Sequence, residues 1–162
     1  DMTQIQQVND WLRANCTGEN SAYMICHGSV YSPDVFRAAA LPDESIRTIL
    51  PYGAVNPGND AFPKEIFTAQ VVLTCTPFDP NNHTEKINAA FLENQETYHP
   101  FEVAATFDMG NGYTITAYRR VQAPTVEELD TYRRWLAEED AQFPYNFSAV
   151  WDSLETQFAN PS

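Results

Sequence analysis

The sequence is short of positive charge. Only 9 Lys and Arg stand against 22 Asp and Glu in 162 residues, a formal net charge of −13. Phosphate backbones are gripped by clustered Lys and Arg, so a nucleic-acid partner is excluded, and docking on anionic lipid is disfavoured. Glycine is scarce at 6 residues, and 11 prolines do not raise the pair to a linker or fibrous composition. Three cysteines (Cys16, Cys26, Cys75) are an odd number without C-x-x-C spacing, which excludes a full disulfide framework. Cys26 and Cys75 lie in apolar runs and read as small buried hydrophobes. No run approaches the ~20 apolar residues that span a bilayer. No signal peptide is recognisable, and a chain starting at Asp1 is expected to be a mature form or an excised piece.

What is present is a well-supplied core. Hydrophobic residues make up 43% and aromatics 13%, enough to offset chain entropy over residues 1–162 as a single domain. Ile5, Val8 and Leu12 put one apolar face on a helix over 3–15. Residues 22–27 read as a buried strand. Ser32-Pro33-Asp34 starts a helix that runs to about Leu41. Residues 46–52 read as a second strand, a loop follows over 53–60, and a short helix over 62–69. Gln70 to Thr76 is apolar nearly throughout, as a central strand would be. Asn82-x-x-Glu85 and Thr125-x-x-Glu128 match capping boxes of two further helices. Residues 101–108 and 113–121 are strands joined at Asn111-Gly112, a hairpin signal. Phe147, Val150, Trp151, Leu154 and Phe158 form one stripe of a last helix capped by Asn146. This order predicts a three-layer α/β/α Rossmann-like domain, with a mostly parallel sheet of about five strands and a C-terminal antiparallel hairpin.

Open α/β sheets bind ligands beyond the carboxyl ends of their parallel strands. The candidates at that rim are His27 and Ser29 after the first strand, Tyr52, Asn56, Asn59 and Asp60 after the second, and Asp79 and His83 after the third. The turn His27-Gly28-Ser29 has one glycine where a dinucleotide fingerprint needs three, and no P-loop exists. No cofactor is expected. A hydrolase would use Ser29 as nucleophile, His83 as base and Asp79 or Asp60 as orienter, yet Ser29 sits on no G-x-S-x-G elbow. A metal site would gather His27, Asp60, Asp79 and His83, whose spacings match no ligand motif, so no metal is expected. Tyr31, Tyr52 and Tyr98 could serve a carbohydrate-binding module as exposed aromatics, although tyrosines of this kind are more often half-buried. Asn15, Asn82 and Asn146 each begin an N-x-[ST] triplet, a pattern common by chance.

Three stretches together carry a resemblance: 22–37 (AYMICHGSVYSPDVFR), 50–56 (LPYGAVN) with Asp60-Ala-Phe-Pro63, and 106–113 (TFDMGNGY). They resemble the soluble C-terminal domain that follows the membrane helices of some bacterial glycosyltransferases, similar to the protein O-mannosyltransferase and aminoarabinose transferase families. The likeness covers most of the chain and rests on turns and strands instead of a catalytic motif. It implies a parent enzyme that moves sugar from a lipid-phosphate donor with acidic residues absent from this sequence. It also implies an extracytoplasmic position, the membrane-embedded portion of the same chain as partner, and a glycan or lipid-linked acceptor as ligand. The alternatives are a free-standing hydrolase-like enzyme or a ligand-binding module using the rim.

Overall fold

The computed structural model describes residues 2–53, 55–80 and 82–160. Helix α1 (Met2–Asn15) leads into strand β1 (Ala22–Met24). Helices α2 (Pro33–Ala39) and α3 (Ser45–Ile49), a 3-10 turn (Pro57–Asn59) and helix α4 (Glu65–Thr68) precede strand β2 (Val71–Thr76). Helix α5 (Asn82–Tyr98), the hairpin strands β3 (Phe101–Asp108) and β4 (Thr114–Arg120), and helices α6 (Val126–Glu139), α7 (Phe143–Asn146) and α8 (Ser148–Ala159) complete the order.

The four strands form one open mixed sheet in the order β1-β2-β4-β3. β1 and β2 are parallel, and β4 pairs antiparallel with β2 on one side and β3 on the other. The α/β class and the terminal hairpin hold. The mostly parallel five-strand sheet does not, because the expected strand over 46–52 is absent. That segment is helix α3, with residues 50–53 running on outside regular structure. The physical reason lies in its spacing: Ile46, Ile49 and Leu50 recur at i, i+3 and i+4, a helical period, and all three are buried. Asp43 begins the turn, its two carboxylate oxygens accepting from Ser45 N (2.9 Å) and Ser45 Oγ (3.0 Å).

Alternation along the strands builds two cores. Ala22, Met24, Val71, Leu73, Ile115 and Ala117 face one way, against Val8 and Leu12 of α1, Phe36 of α2 and Ile46 of α3. Tyr23, Ile25 and Val72 face the other way, against Phe67 of α4, Phe91 of α5, Leu129 and Leu136 of α6, and Trp151 of α8. Helices therefore cover both faces of β1 and β2. The buried stripe of the last helix is as expected, with Trp151 and Leu154 buried and Val150 and Phe158 partly so. Asn146 does not cap that helix, however. It ends α7, and Phe147 stands at the start of α8. Thr125 caps α6, its Oγ1 accepting from Glu128 N at 3.2 Å. The Glu128 carboxylate does not return to the cap: it takes two hydrogen bonds from Arg120 instead, at 3.3 and 3.2 Å. The matching box of α5 rests on Asn82, whose side chain lies outside the described residues.

The hairpin turn runs through residues 109–113, closed by Met109 N donating to Tyr113 O at 2.9 Å. Gly110 (φ 81°) and Gly112 (φ 87°) both take the left-handed region, which a side chain would strain. Among the described residues no helix is long and apolar enough to cross a membrane.

Candidate functional site

The carboxyl ends of β1 and β2 open onto the rim. β1 stops after three residues, and the chain continues extended through Ile25 and Cys26 to His27. Residues 50–53 pass alongside. Gly53 O accepts from His27 Nε2 at 2.6 Å and from Tyr23 Oη at 3.1 Å. A carbonyl only accepts, so Nε2 carries the proton of the neutral ring. Burial holds His27 below the ordinary imidazole pKa, and it outweighs the opposing pull of the Gly53 carbonyl and of Asp34. The Tyr52 ring meets the His27 ring edge-on, with centroids 5.5 Å apart and planes at 74°. Tyr52 is 56% exposed. Gly53 leaves room for this crossing, since a Cβ there would stand 3.1 Å from Tyr23 Cε1.

A second cluster sits around Asp79, just past β2. Tyr113, from the hairpin, donates its hydroxyl to Asp79 Oδ1 at 2.7 Å, and Val30 N reaches Oδ2 at 3.4 Å. The proton held between them pushes the Tyr113 pKa up, because ionisation would set a phenolate against a carboxylate. Gly28 lies directly against Asp79: a Cβ on Gly28 would fall 2.3 Å from Asp79 Cβ. The Tyr31 ring packs edge-on to Tyr113, centroids 5.4 Å apart, and its hydroxyl bonds Asn111 within 3.1–3.3 Å. Loop 27–31, the start of the loop after β2 and the hairpin turn are thus tied into one edge.

The remaining candidates have other employment. Asn56 Oδ1 accepts from Gly58 N at 3.0 Å, and its backbone exchanges two bonds with Ala61 at 2.8 and 2.9 Å, which closes the 3-10 turn. Asp60 ends that turn with φ 56°, exposed. The Asn59 side chain lies outside the described residues. His83 turns to the opposite core: its Nδ1 stands 3.3 Å from Glu139 Oε2 and its ring meets Phe143 edge-on at 4.8 Å. Ser29 is exposed, and no described side chain bonds its hydroxyl. The residues of the Ser29–His83–Asp79 arrangement are therefore engaged separately. Among the described residues no three His, Cys, Asp or Glu side chains gather as a metal site.

Tyr31 is a correction. Unlike the exposed aromatic the sequence suggests, it is 4% exposed, wedged against Phe36 and Tyr113. Tyr98 is exposed as expected. Tyr113 and Asn111 join the rim without having been expected there, whereas Gly53 lies there as its place after Tyr52 suggests. The Asn111-Gly112 signal, which places Tyr113 at a hairpin end, was the only hint, and nothing local says which strand the hairpin joins. A groove of about 430 Å³ lined by Phe67, Thr68, Pro124, Phe158 and neighbours contains none of the rim residues.

Comparison of the chain with protein-family models, with curated proteins and with solved structures finds no match in any of the three.

Proposed function

We propose that this domain is a non-catalytic accessory module of a membrane-bound glycosyltransferase using a lipid-phosphate sugar donor. In this reading it stands on the extracytoplasmic side, packs against the membrane-embedded portion of its own chain, and offers its rim to a glycan or lipid-linked acceptor. Two things support it: the resemblance carried by residues 22–37, 50–56 with 60–63, and 106–113, and the geometry of the rim.

One observation carries the ligand side of the reading. Tyr52 is a large aromatic ring 56% open to solvent, held edge-on by a histidine that is itself bonded to Gly53 O. Sugar rings pack their C–H faces on such platforms while polar neighbours take the hydroxyls. Asp79 and Asn56 are already engaged, Asp79 by Tyr113 and Val30 and Asn56 by its own turn. A hydrolase-like reading needs Ser29 and His83 within hydrogen-bonding reach, and His83 engages Glu139 and Phe143 instead.

Two measurements test the proposal. The gene should encode several membrane-spanning segments ahead of this domain, and a gene without them refutes the parent enzyme. Titration with oligosaccharides, followed by chemical shifts of the His27 ring that packs on Tyr52, should show saturable binding that Tyr52→Ala abolishes with no change in Tm. Binding that survives Tyr52→Ala removes the rim from the account.

A further inference from the structure

β1 and β2 run parallel, with Ala22, Tyr23 and Met24 opposite Val71, Val72 and Leu73. Ile25 N donates to Leu73 O at 2.9 Å, which carries the ladder one step beyond the last residue of β1. The same register sets Cys26 opposite Cys75. Alternation puts Ala22, Met24 and Cys26 on one face with Val71, Leu73 and Cys75, and all six side chains belong to one core. Neighbouring strands lie about 4.8 Å apart, and a disulfide accepts Cα separations of about 4.4–6.8 Å. The two thiols are therefore neighbours on one face of the β1–β2 pair. Both are free and buried. Cys16 shares that core, but it ends α1, bonded through its backbone to Leu12 O.

We propose that Cys26 and Cys75 form an oxidisable dithiol that closes into an intramolecular disulfide joining β1 to β2, with a low-molecular-weight disulfide as oxidant. Interaction between the two thiols pushes the Cys26 pKa up and the Cys75 pKa down, and burial raises Cys26 further, so Cys75 supplies the attacking thiolate. The Cys75 thiolate attacks one sulfur of the small disulfide. That S–S bond breaks, a mixed disulfide forms, and a small thiolate leaves. Cys26 passes its proton to the departing thiolate and attacks Cys75 Sγ. The mixed disulfide breaks, and the second small thiolate leaves to take up the proton released by Cys75. Two protein thiols are oxidised, and one small disulfide is reduced to two thiols. The buried sulfurs are reached through local opening of residues 25–28, beyond the short β1, where regular pairing ends. The pair does not depend on the accessory-module reading of the whole domain.

The test uses the native chain and oxidised glutathione. The folded protein is incubated with it, remaining thiols are alkylated, and the products are digested with trypsin and then chymotrypsin without reduction. Cleavage after Tyr23 separates Cys16 from Cys26, and cleavage after Lys64 and Lys86 frees the segment holding Cys75. The expected product is a Cys26 peptide linked to a Cys75 peptide, lighter by two hydrogens than the pair of thiols, with Cys16 alkylated. It should approach full yield as the ratio of oxidised to reduced glutathione rises, and the oxidised form should melt at a higher Tm. Cys26→Ser should leave Cys75 carrying glutathione, with no link. Native protein that keeps both thiols alkylatable at every ratio, or a link that involves Cys16, overturns the proposal.

Discussion

Replacing Gly28 with alanine adds one carbon where the chain has no room for it. The new Cβ would stand 2.3 Å from Asp79 Cβ, 2.5 Å from its Oδ2 and 2.8 Å from its Cγ. Rotation of the Asp79 side chain relieves the last two contacts but not the first, since a Cβ moves only with its backbone. Ordinary contact begins at 3.4 Å, so loop 27–31 and the segment after β2 must part by about 1 Å. That separation also pulls Val30 N and the Asp79 carboxylate apart and strains the bond from Tyr113. Overpacking of this kind costs about 1–3 kcal/mol, and with backbone on both sides the upper end applies. For a chain of this length Tm should fall by roughly 6–12 °C. Urea unfolding of six proteins decides the cause: wild type, G28A, the Asp79→Ala and Asp79→Gly single variants, and G28A in each of those two backgrounds. Asp79→Ala retains the offending Cβ and should give no relief, whereas Asp79→Gly removes it and should cancel most of the penalty. A G28A protein within about 0.5 kcal/mol of wild type, or an equal penalty in both backgrounds, refutes the reasoning.

Three further outcomes follow from the same geometry. Burial lowers the His27 pKa below the ordinary 6.5, so the unfolded chain binds more protons between the folded and the unfolded value; stability therefore rises with pH across that window and is complete above about 6.5. The urea midpoint should drop on acidification below that point, and His27→Asn should flatten the drop; an unchanged slope counts against a buried neutral ring. Arg120→Met strips the partner from Glu128, which is 3% exposed, and should cost about 3–5 kcal/mol at neutral pH. Desolvation already raises the Glu128 pKa, so the cost should shrink on acidification as the carboxyl takes up a proton; an equal loss at neutral and acidic pH would contradict an uncompensated buried charge. Phe62→Ala empties a site bounded by Trp151 at 4.6 Å and by Phe67, Tyr132 and Phe147 at 6.0–6.3 Å, which should cost about 3–5 kcal/mol in chemical denaturation and speed proteolysis of the 53–60 loop it anchors. Unaltered proteolysis would mean the loop is held by something else.

Periodicity made much of this protein legible in advance. The buried faces of α1 and α6, the apolar β2 and the Trp151–Leu154 stripe all follow from spacing, because each element must bury one face wherever it ends up. The error at 46–52 was of the same kind: five residues of helix and a few of extended coil carry a pattern too short to separate periods of 3.6 and 2. Its loss removed the supposed second strand, and with it the premise that Tyr52, Asn56 and Asp60 lie beyond a strand end. Tyr52 still reaches the rim, because the Gly53 carbonyl is pinned by His27 and Tyr23.

By itself the chain determined its class, its helix faces, its hairpin and the burial of Cys26 and Cys75, since these depend on local propensity and on which residues prefer to leave water. Only the tertiary structure decided that the hairpin enters the sheet through β4, so that Tyr113 meets Asp79, that His83 faces Glu139 and not Ser29, and that Cys26 lies opposite Cys75. Each of those is a pairing of residues far apart in sequence, and it depends on strand order and register, which no local pattern encodes.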